Sequence, residues 1–458
     1  MAPKRPPLTP EQLALSDARK AKKAKRDPVV QTTASLINEE KGRTIERKWI
    51  QIKDPNQIQN GYRVKVLTWN LLAQCLVRRE LFPNSNCLKA VQREHMLYHE
   101  ILLQNADILC LQACIHEVDR LEKLLPVIES AGYAHRYAAG PNKKHGCLIA
   151  FKKELYEETG SKLILYDEQK VRTTDEEGVN PHGSTFRTRN IGHIVALKHT
   201  QRDEGVVVAT THLFWHPKYV YERASRQAAI LKREVVQFKH SIGHEDWPCI
   251  ISGDFNFTPD DPIYSLVVGD PLLPMQEERL QPSYVVHSTI DPTVAAGTIE
   301  VSKDENEEAE GADPDKVITN ARAAQPADGL LSLPELKEIF ANLGPPLKSA
   351  YDSGLRGYLG SLEESRSDLP TRTFGDRVTI PSSRRGGYEP EWSSYTFYWK
   401  LVLDYVFILD APEGQSTITG VLSGHRTEDL EPGLPQLGVC GSDHIALSAE
   451  IVFTRTQK

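Results

Sequence analysis

Eight runs rich in Val, Ile, Leu and Phe punctuate the chain from residue 61 onward. They are RVKVLTW (63–69), ADILCLQ (106–112), GCLIAF (146–151), GHIVAL (192–197), GVVVATTH (205–212), PCIISGDF (248–255), LDYVFIL (403–409) and IALSAEIVF (445–453). Runs of this kind suit strands buried on at least one face. Between them, 89–104 and 219–240 read as helices. In the second, Ala224, Ala228, Leu231, Val235 and Phe238 recur at spacings of 4, 3, 4 and 3 and make one apolar stripe. The alternation predicts an α/β protein with helices packed on sheets. No internal repeat is visible.

The pattern fades in three places. Residues 1–60 read as a basic, largely disordered tail ahead of one domain spanning 61–458. The first thirty residues carry eight Lys and Arg against three Asp and Glu. Their ARKAKKAKR stretch either binds nucleic acid, serves as a nuclear address, or is a solvated tail. Residues 296–330, including SKDENEEAEGADPDK, are acidic and poor in aromatics, which predicts a disordered insertion. A second polar stretch covers 361–391. Over the whole chain of 458 residues, 55 Lys and Arg face 62 Asp and Glu, for a net charge of −7. No apolar run reaches the ~18 residues of a membrane helix, and no secretory core opens the chain. The seven Cys (an odd number) include no Cys-x-x-Cys pair, which argues for a reducing compartment and against a thiolate zinc site.

Chemistry concentrates where apolar strands end. VKVLTWN ends in Asn70, and Glu117 follows ADILCLQ. His212 and His216 follow a strand, and Asp254 and Asn256 lie in IISGDFNFTP. Asp404 opens DYVFIL, while Asp443 and His444 precede IAL. A single strand-end Asp or Asn is ordinarily a turn former, and a single His ordinarily structural. Six such ends together point to a site. Oxygen ligands with imidazoles and no thiolate imply Mg²⁺ or Mn²⁺. Asp254 and Asn256, two apart on an extended segment, are expected to face the same way. No Gly-rich phosphate loop or nucleophilic Ser or Cys motif competes.

LTWNLLAQ (67–74), THLFWHP (211–217), SGDFNFTP (252–259), LDYVF (403–407) and GSDH (441–444) occur in that order. This series resembles the endonuclease/exonuclease/phosphatase superfamily, in particular its carbon-catabolite-repressor-type deadenylase branch and the fungal Ngl-type RNA exonucleases. The resemblance implies an α/β fold, a four-layer αββα sandwich of two mixed β-sheets flanked by helices. It implies Mg²⁺-dependent (or Mn²⁺-dependent) 3′–5′ hydrolysis of RNA to nucleoside 5′-monophosphates, in poly(A) shortening or rRNA 3′-end processing. Asn70, Glu117 and Asp443 are then metal ligands. Asp254, supported by Asn256, deprotonates water; His444, oriented by Asp404, and His212 face the phosphate. Pro217 and Trp399 would sandwich a terminal base, with Lys400 beside a backbone phosphate. The implied partners are RNA 3′ ends, without a membrane, in the nucleus or nucleolus and the cytoplasm. No leucine-rich-repeat segment precedes the domain, so docking on a deadenylase scaffold is not indicated.

Alternatives stay open at three points. Tyr395, Phe397 and Trp399 alternate, so a half-buried strand explains them without RNA. Lys143, Lys144 and His145 either line a substrate groove or form a solvated turn. The family pattern runs Leu-Gln-Glu-Val-Asp, whereas here Ala113-Cys114-Ile115-His116 separates Leu111-Gln112 from Glu117. Four residues span ~13 Å of extended chain. If they extend the strand, Glu117 overshoots; if they bulge, as a strand-end loop does at little cost, it returns to the site. A splice or gene-model difference would also account for them. A member that binds RNA or protein with weakened or lost catalysis, or a phosphoesterase acting on lipid phosphates, is the competing function.

Overall fold

The computed structural model describes residues 38–115, 121–172, 177–294, 318–360 and 372–455. Each of the eight apolar runs becomes a strand in one of two sheets. In chain order the strands are β1 (Trp49–Gln51), β2 (Gly61–Asn70), β3 (Ile108–Ile115), β4 (Tyr133–Ala139), β5 (His145–Lys152), β6 (Tyr156–Leu165), β7 (Ile191–His199), β8 (Gly205–His212), β9 (Cys249–Asp254), β10 (Val285–His287), β11 (Ala321–Ala323), β12 (Lys348–Ser349), β13 (Ser394–Tyr395), β14 (Lys400–Leu401), β15 (Asp404–Leu409), β16 (Gly414–Leu422) and β17 (Leu447–Arg455). One sheet runs β1-β16-β17-β2-β3-β5-β4 and the other β12-β15-β9-β8-β7-β6. Both are mixed, because β2 pairs with β3 and β8 with β9 in parallel while their other neighbours are antiparallel.

Strict alternation along the strands builds three apolar layers. Val64, Val66, Ile108, Val206, Val208, Ile250, Val406 and Ile408 meet between the sheets. The intervening Leu67, Leu109 and Leu111 face outward onto Leu97 and Ile101 of α1 (Ala90–Gln104). On the far side Val207, Ile251 and Phe407 meet Leu231, Val235 and Phe238 of α2 (Ala229–Ser241), with Ala224 and Ala228 on the π-helical turn that leads into it. The apolar stripe read from the sequence is therefore one packed face. The result is helix, sheet, sheet, helix. Truncating a buried ring such as Phe238 to Ala removes ~3–5 kcal/mol of this packing.

Two boundaries differ from expectation. Residues 1–37 lie outside the described residues, but 38–60 are part of the fold: β1 pairs with β16 and buries Ile50. Of the acidic stretch, 295–317 lie outside the described residues, while 318–330 are built into the domain. There β11 pairs with β10, and Arg322 bonds Asp291 and Asp328, so local charge pairing and strand pairing order a polar segment. Of the second polar stretch, 361–371 lie outside the described residues and 372–391 are packed, with Phe374 buried. Among the described residues no helix is long and apolar enough to cross a membrane.

Candidate active site

The parity that fills the core also builds the site. Following the inter-sheet positions to one end of each strand leads from Val66 to Asn70, from Cys110 to Gln112, from Val208 to His212, from Ile250 to Asp254, and back from Val406 to Asp404. His212, Asp254 and Asp404 lie in one register row across β8, β9 and β15. Gly253 makes the row possible. Its φ is +153°, and a Cβ there would stand 2.2 Å from the Thr211 carbonyl oxygen.

One carboxylate oxygen is the focus. Asn70 Nδ2 donates to Asp254 Oδ2 at 2.8 Å, with His212 Nε2 at 3.4 Å and His444 Nε2 at 3.6 Å. The other oxygen accepts the Asn256 backbone N–H at 3.1 Å. His444 Nδ1 lies 2.7 Å from Asp404 Oδ2, which also accepts the Ser393 hydroxyl at 2.7 Å. Burial opposes charging of His444, yet Asp404, Asp254 and Asp443 around it push its pKa up to about 10. Burial, reinforced by Asp404 and opposed by His444, pushes the Asp254 carboxyl up to about 7. His212 is held far below the ordinary imidazole range by burial and by His145, His444 and Lys143 nearby. The site thus sets one imidazolium and one neutral imidazole on either side of a carboxyl poised near neutrality.

Asn256 corrects an expectation. The strand ends at Asp254, and Asn256 adopts a left-handed φ of 51°. It does not share Asp254's direction; its Nδ2 donates to the Leu213 carbonyl at 2.9 Å and ties the β9 loop to the β8 loop. Asp443 and His444 sit where the chain bends, so the two adjacent side chains both reach the site region. Ser442 makes that bend: its hydroxyl donates to the Asn70 carbonyl at 2.6 Å and accepts the His444 N–H.

Several further residues support this set. Ser393 Oγ accepts the N–H groups of Leu403 and Asp404 while donating to the Asp404 carboxylate. Arg93, fully buried on α1, donates to the carbonyls of Leu71, Leu72 and Gly441 and so clamps the Asn70 and Asp443 loops together. Gln112 Nε2 bridges Thr68 and Thr210 across the two sheets. The His145 ring stands 6.0 Å from that of His212, so His145 faces the site, while Lys143 Nζ bonds Asn190 at 2.6 Å and Lys144 is exposed. Ser393 and Arg93 carry no local signal, since the contacts join residues up to 348 apart in sequence.

The end of β3 is different. Leu111 pairs with Leu148 and Cys114 with Gly146, so Gln112 and Ala113 together oppose Cys147, and Ala113 has a φ of 54°. The extra residues both bulge and lengthen the strand: one is absorbed by the bulge, and pairing then continues to Ile115. Glu117 lies outside the described residues. Pro217 is exposed on the turn after β8. Trp399 is half-buried, edge-on to Phe82 at 6.2 Å between ring centroids. Lys400 Nζ bonds Glu431 at 2.8 Å and lies over the Tyr395 ring. The alternating aromatics are not one strand: β13 and β14 are joined by a tight turn closed by Thr396 N–H to the Trp399 carbonyl at 2.7 Å. Tyr395 is consequently buried while Phe397 is 52% exposed.

Residues 67–444, which include Asn70 and all the site residues after it, match the model of the Endonuclease/Exonuclease/phosphatase family. The chain belongs to this family. The RNA exonuclease NGL2 of Saccharomyces cerevisiae is 25% identical, the alignment covering 98% of this chain and 89% of that protein. A probable RNA exonuclease of Schizosaccharomyces pombe is 27% identical over 97% of this chain and 88% of its own length. In fold, the chain resembles the crystal structure of ANGEL2, a 2′,3′-cyclic phosphatase, with a TM-score of 0.55, 18% identity, and coverage of 89% of this chain and 99% of that one. The four-layer sandwich is the fold of this family member.

Proposed function

We propose that the protein is a divalent-metal-dependent 3′–5′ exoribonuclease that acts on RNA 3′ ends and releases nucleoside 5′-monophosphates. The observation that carries this reading is the convergence of Asn70, His212 and His444 on one oxygen of Asp254. The near-full-length relatives named as RNA exonucleases support RNA as the substrate. Asp254 accepts the proton of the attacking water; burial brings its pKa to about 7, near the working range of a general base. Asn70 and the Asn256 N–H hold it in place. His444, kept cationic and oriented by Asp404, stabilises the charge that develops on the phosphate. The neutral His212 adds a hydrogen bond on the other side.

Asn70 and Asp443 carry oxygen donors of the kind a hard cation such as Mg²⁺ or Mn²⁺ takes, Asn70 Oδ1 also accepting the Leu72 N–H at 3.0 Å, and Glu117 is the further ligand of this proposal. Such an ion, when bound, supplies positive charge against the phosphate oxygens. Asp254, Asp404 and His444 also cluster within 4.8 Å of one another. The 2.7 Å contact between His444 and Asp404 favours a proton-handling role for that trio over a ligand role. Poly(A) shortening or rRNA 3′-end processing, in the nucleus or nucleolus and the cytoplasm, belongs to the same proposal.

The test is a 3′-labelled oligoribonucleotide incubated with purified protein and Mg²⁺. Labelled nucleoside monophosphate is the expected first product, with a phosphoinositide left intact; the reverse pattern overturns the reading. The Ala113 bulge favours one alternative, a member with weakened metal binding, which predicts RNA binding with turnover that returns only as the Mg²⁺ concentration is raised.

A further inference from the structure

Phe397 and Tyr398 form the tip of the β13–β14 hairpin and are 52% and 61% exposed. Among the described residues no other Phe, Tyr or Trp ring is exposed. Two adjacent exposed rings offer apolar faces that a planar partner can cover. The hairpin is also rooted in the site. Tyr395 N–H donates to the Asp443 carbonyl at 3.0 Å, Ile445 N–H donates to the Ser393 carbonyl at 2.7 Å, and Ser394 pairs with His444. From Tyr395 to Phe397 is two residues, about 7 Å of extended chain.

The backbone beneath the rings is fixed. Thr396 Oγ1 accepts the N–H groups of Tyr398 and Trp399. Glu431 ties Lys400 to the Tyr395 hydroxyl, and Leu434 N–H bonds the Tyr395 carbonyl. Gly433, at φ +123°, packs so closely that a Cβ would meet Phe397 N at 2.7 Å. The two rings stand edge to face, 5.0 Å apart at 90°, so their faces point in different directions. Nothing in this arrangement buries them, and little loop motion is needed to present them.

We infer that Phe397 and Tyr398 are a stacking platform for the nucleobases of the single strand leading into the site. The inference rests on the exoribonuclease reading. Stacking suits such a strand because every base offers a π-face whatever its identity. The platform extends the site from the reacting nucleotide to the strand behind it, so its contribution grows with substrate length.

The test compares 3′-labelled adenylate dinucleotide with a twenty-residue oligoadenylate, using the full chain and the F397A/Y398A variant. The ratio of kcat/KM for the long substrate to that for the dinucleotide is expected to fall about 10-fold or more, mainly through KM. F397W/Y398F is expected to restore it. An unchanged ratio in a folded variant overturns the platform and leaves the rings to a protein partner. If wild-type protein cleaves neither substrate, the catalytic reading fails on its own. Fluorescence anisotropy with labelled oligoadenylate then decides: about 10-fold weaker binding by the variant upholds the platform, and equal binding overturns it.

Discussion

Two strand ends meet at the site and are built differently. At the β9–β15 edge, Asp254 and Asp404 share a register row, and their partners Asn70, Ser393, Asn256 and His444 come from four separate segments. At the β3 edge, Gln112 and Ala113 oppose a single residue, and the strand runs two residues further before the described chain breaks off. The first edge fixes its carboxylates by cross-strand hydrogen bonds that any shift would break. The second uses the tolerance of a strand end for an insertion. The proton-handling role proposed for Asp254 and His444 is therefore held by tertiary contacts from several elements, whereas the metal-ligand role proposed for Glu117 depends on how one local segment is accommodated.

The largest effect is expected at the first edge. Asp254→Ala and His444→Ala should each lower kcat by ~10²–10⁴-fold, the contribution of a positioned acid or base, with a circular dichroism spectrum that shows the fold retained. Near-normal turnover in either would move the reaction away from this edge. Gly253→Ala tests whether the register row is as tight as it looks. A Cβ 2.2 Å from the Thr211 carbonyl, at a φ that L-residues avoid, should cost ~3 kcal/mol or more, read as a lower Tm.

At the second edge, Glu117→Ala should weaken Mg²⁺ binding at least ~10-fold in isothermal titration of the full chain, the scale of a lost charged hydrogen-bonding or ligand group. Equal affinity in the full chain and in one lacking 113–116 would show that the insertion is accommodated. Binding only after the deletion would make the β3 edge inactivating.

A subtler test returns to the first edge. His444 is raised to about 10, so it is charged below its ordinary 6.5 and stays charged until pH climbs through about 10. The stability this charge brings is complete below 6.5 and is lost on the same climb. Asp404→Asn should move the midpoint down toward 6.5 in an NMR titration. Ser393→Ala, which removes one hydrogen bond to Asp404, should cost only about 10-fold in kcat.

Much of this was legible along the chain. The eight apolar runs became strands because each buries side chains on one or both faces, a demand that local composition records. Of the strands in the two sheets, β1, β4, β6, β12 and β16 were missed. Stretches such as YEETGSKLIL and GQSTITGVL alternate polar with apolar residues or carry glycine, and pairing with a neighbouring strand is what makes them strands. The motif residues Asn70, His212, Asp254, Asp404 and His444 were visible because chemistry limits which side chains serve. Ser393 and Arg93 were not, because a serine and an arginine gain their roles only from partners distant in sequence. The aromatic alternation at 395–399 misled for a related reason: Thr396 closes a turn there, and a period of two cannot tell a strand from a hairpin tip.

The amino-acid sequence by itself determined the layered α/β architecture and the parity that carries each strand from an apolar interior to a polar end. Both follow from burial and from the two-residue repeat of extended backbone. Tertiary structure alone decided that His212, Asp254 and Asp404 stand in one row, that Asn256 turns aside to brace a neighbouring loop, and that Phe397 and Tyr398 face solvent beside the site. Those outcomes depend on register, on a left-handed residue and on a tight turn, each fixed by contacts between segments that local sequence does not encode.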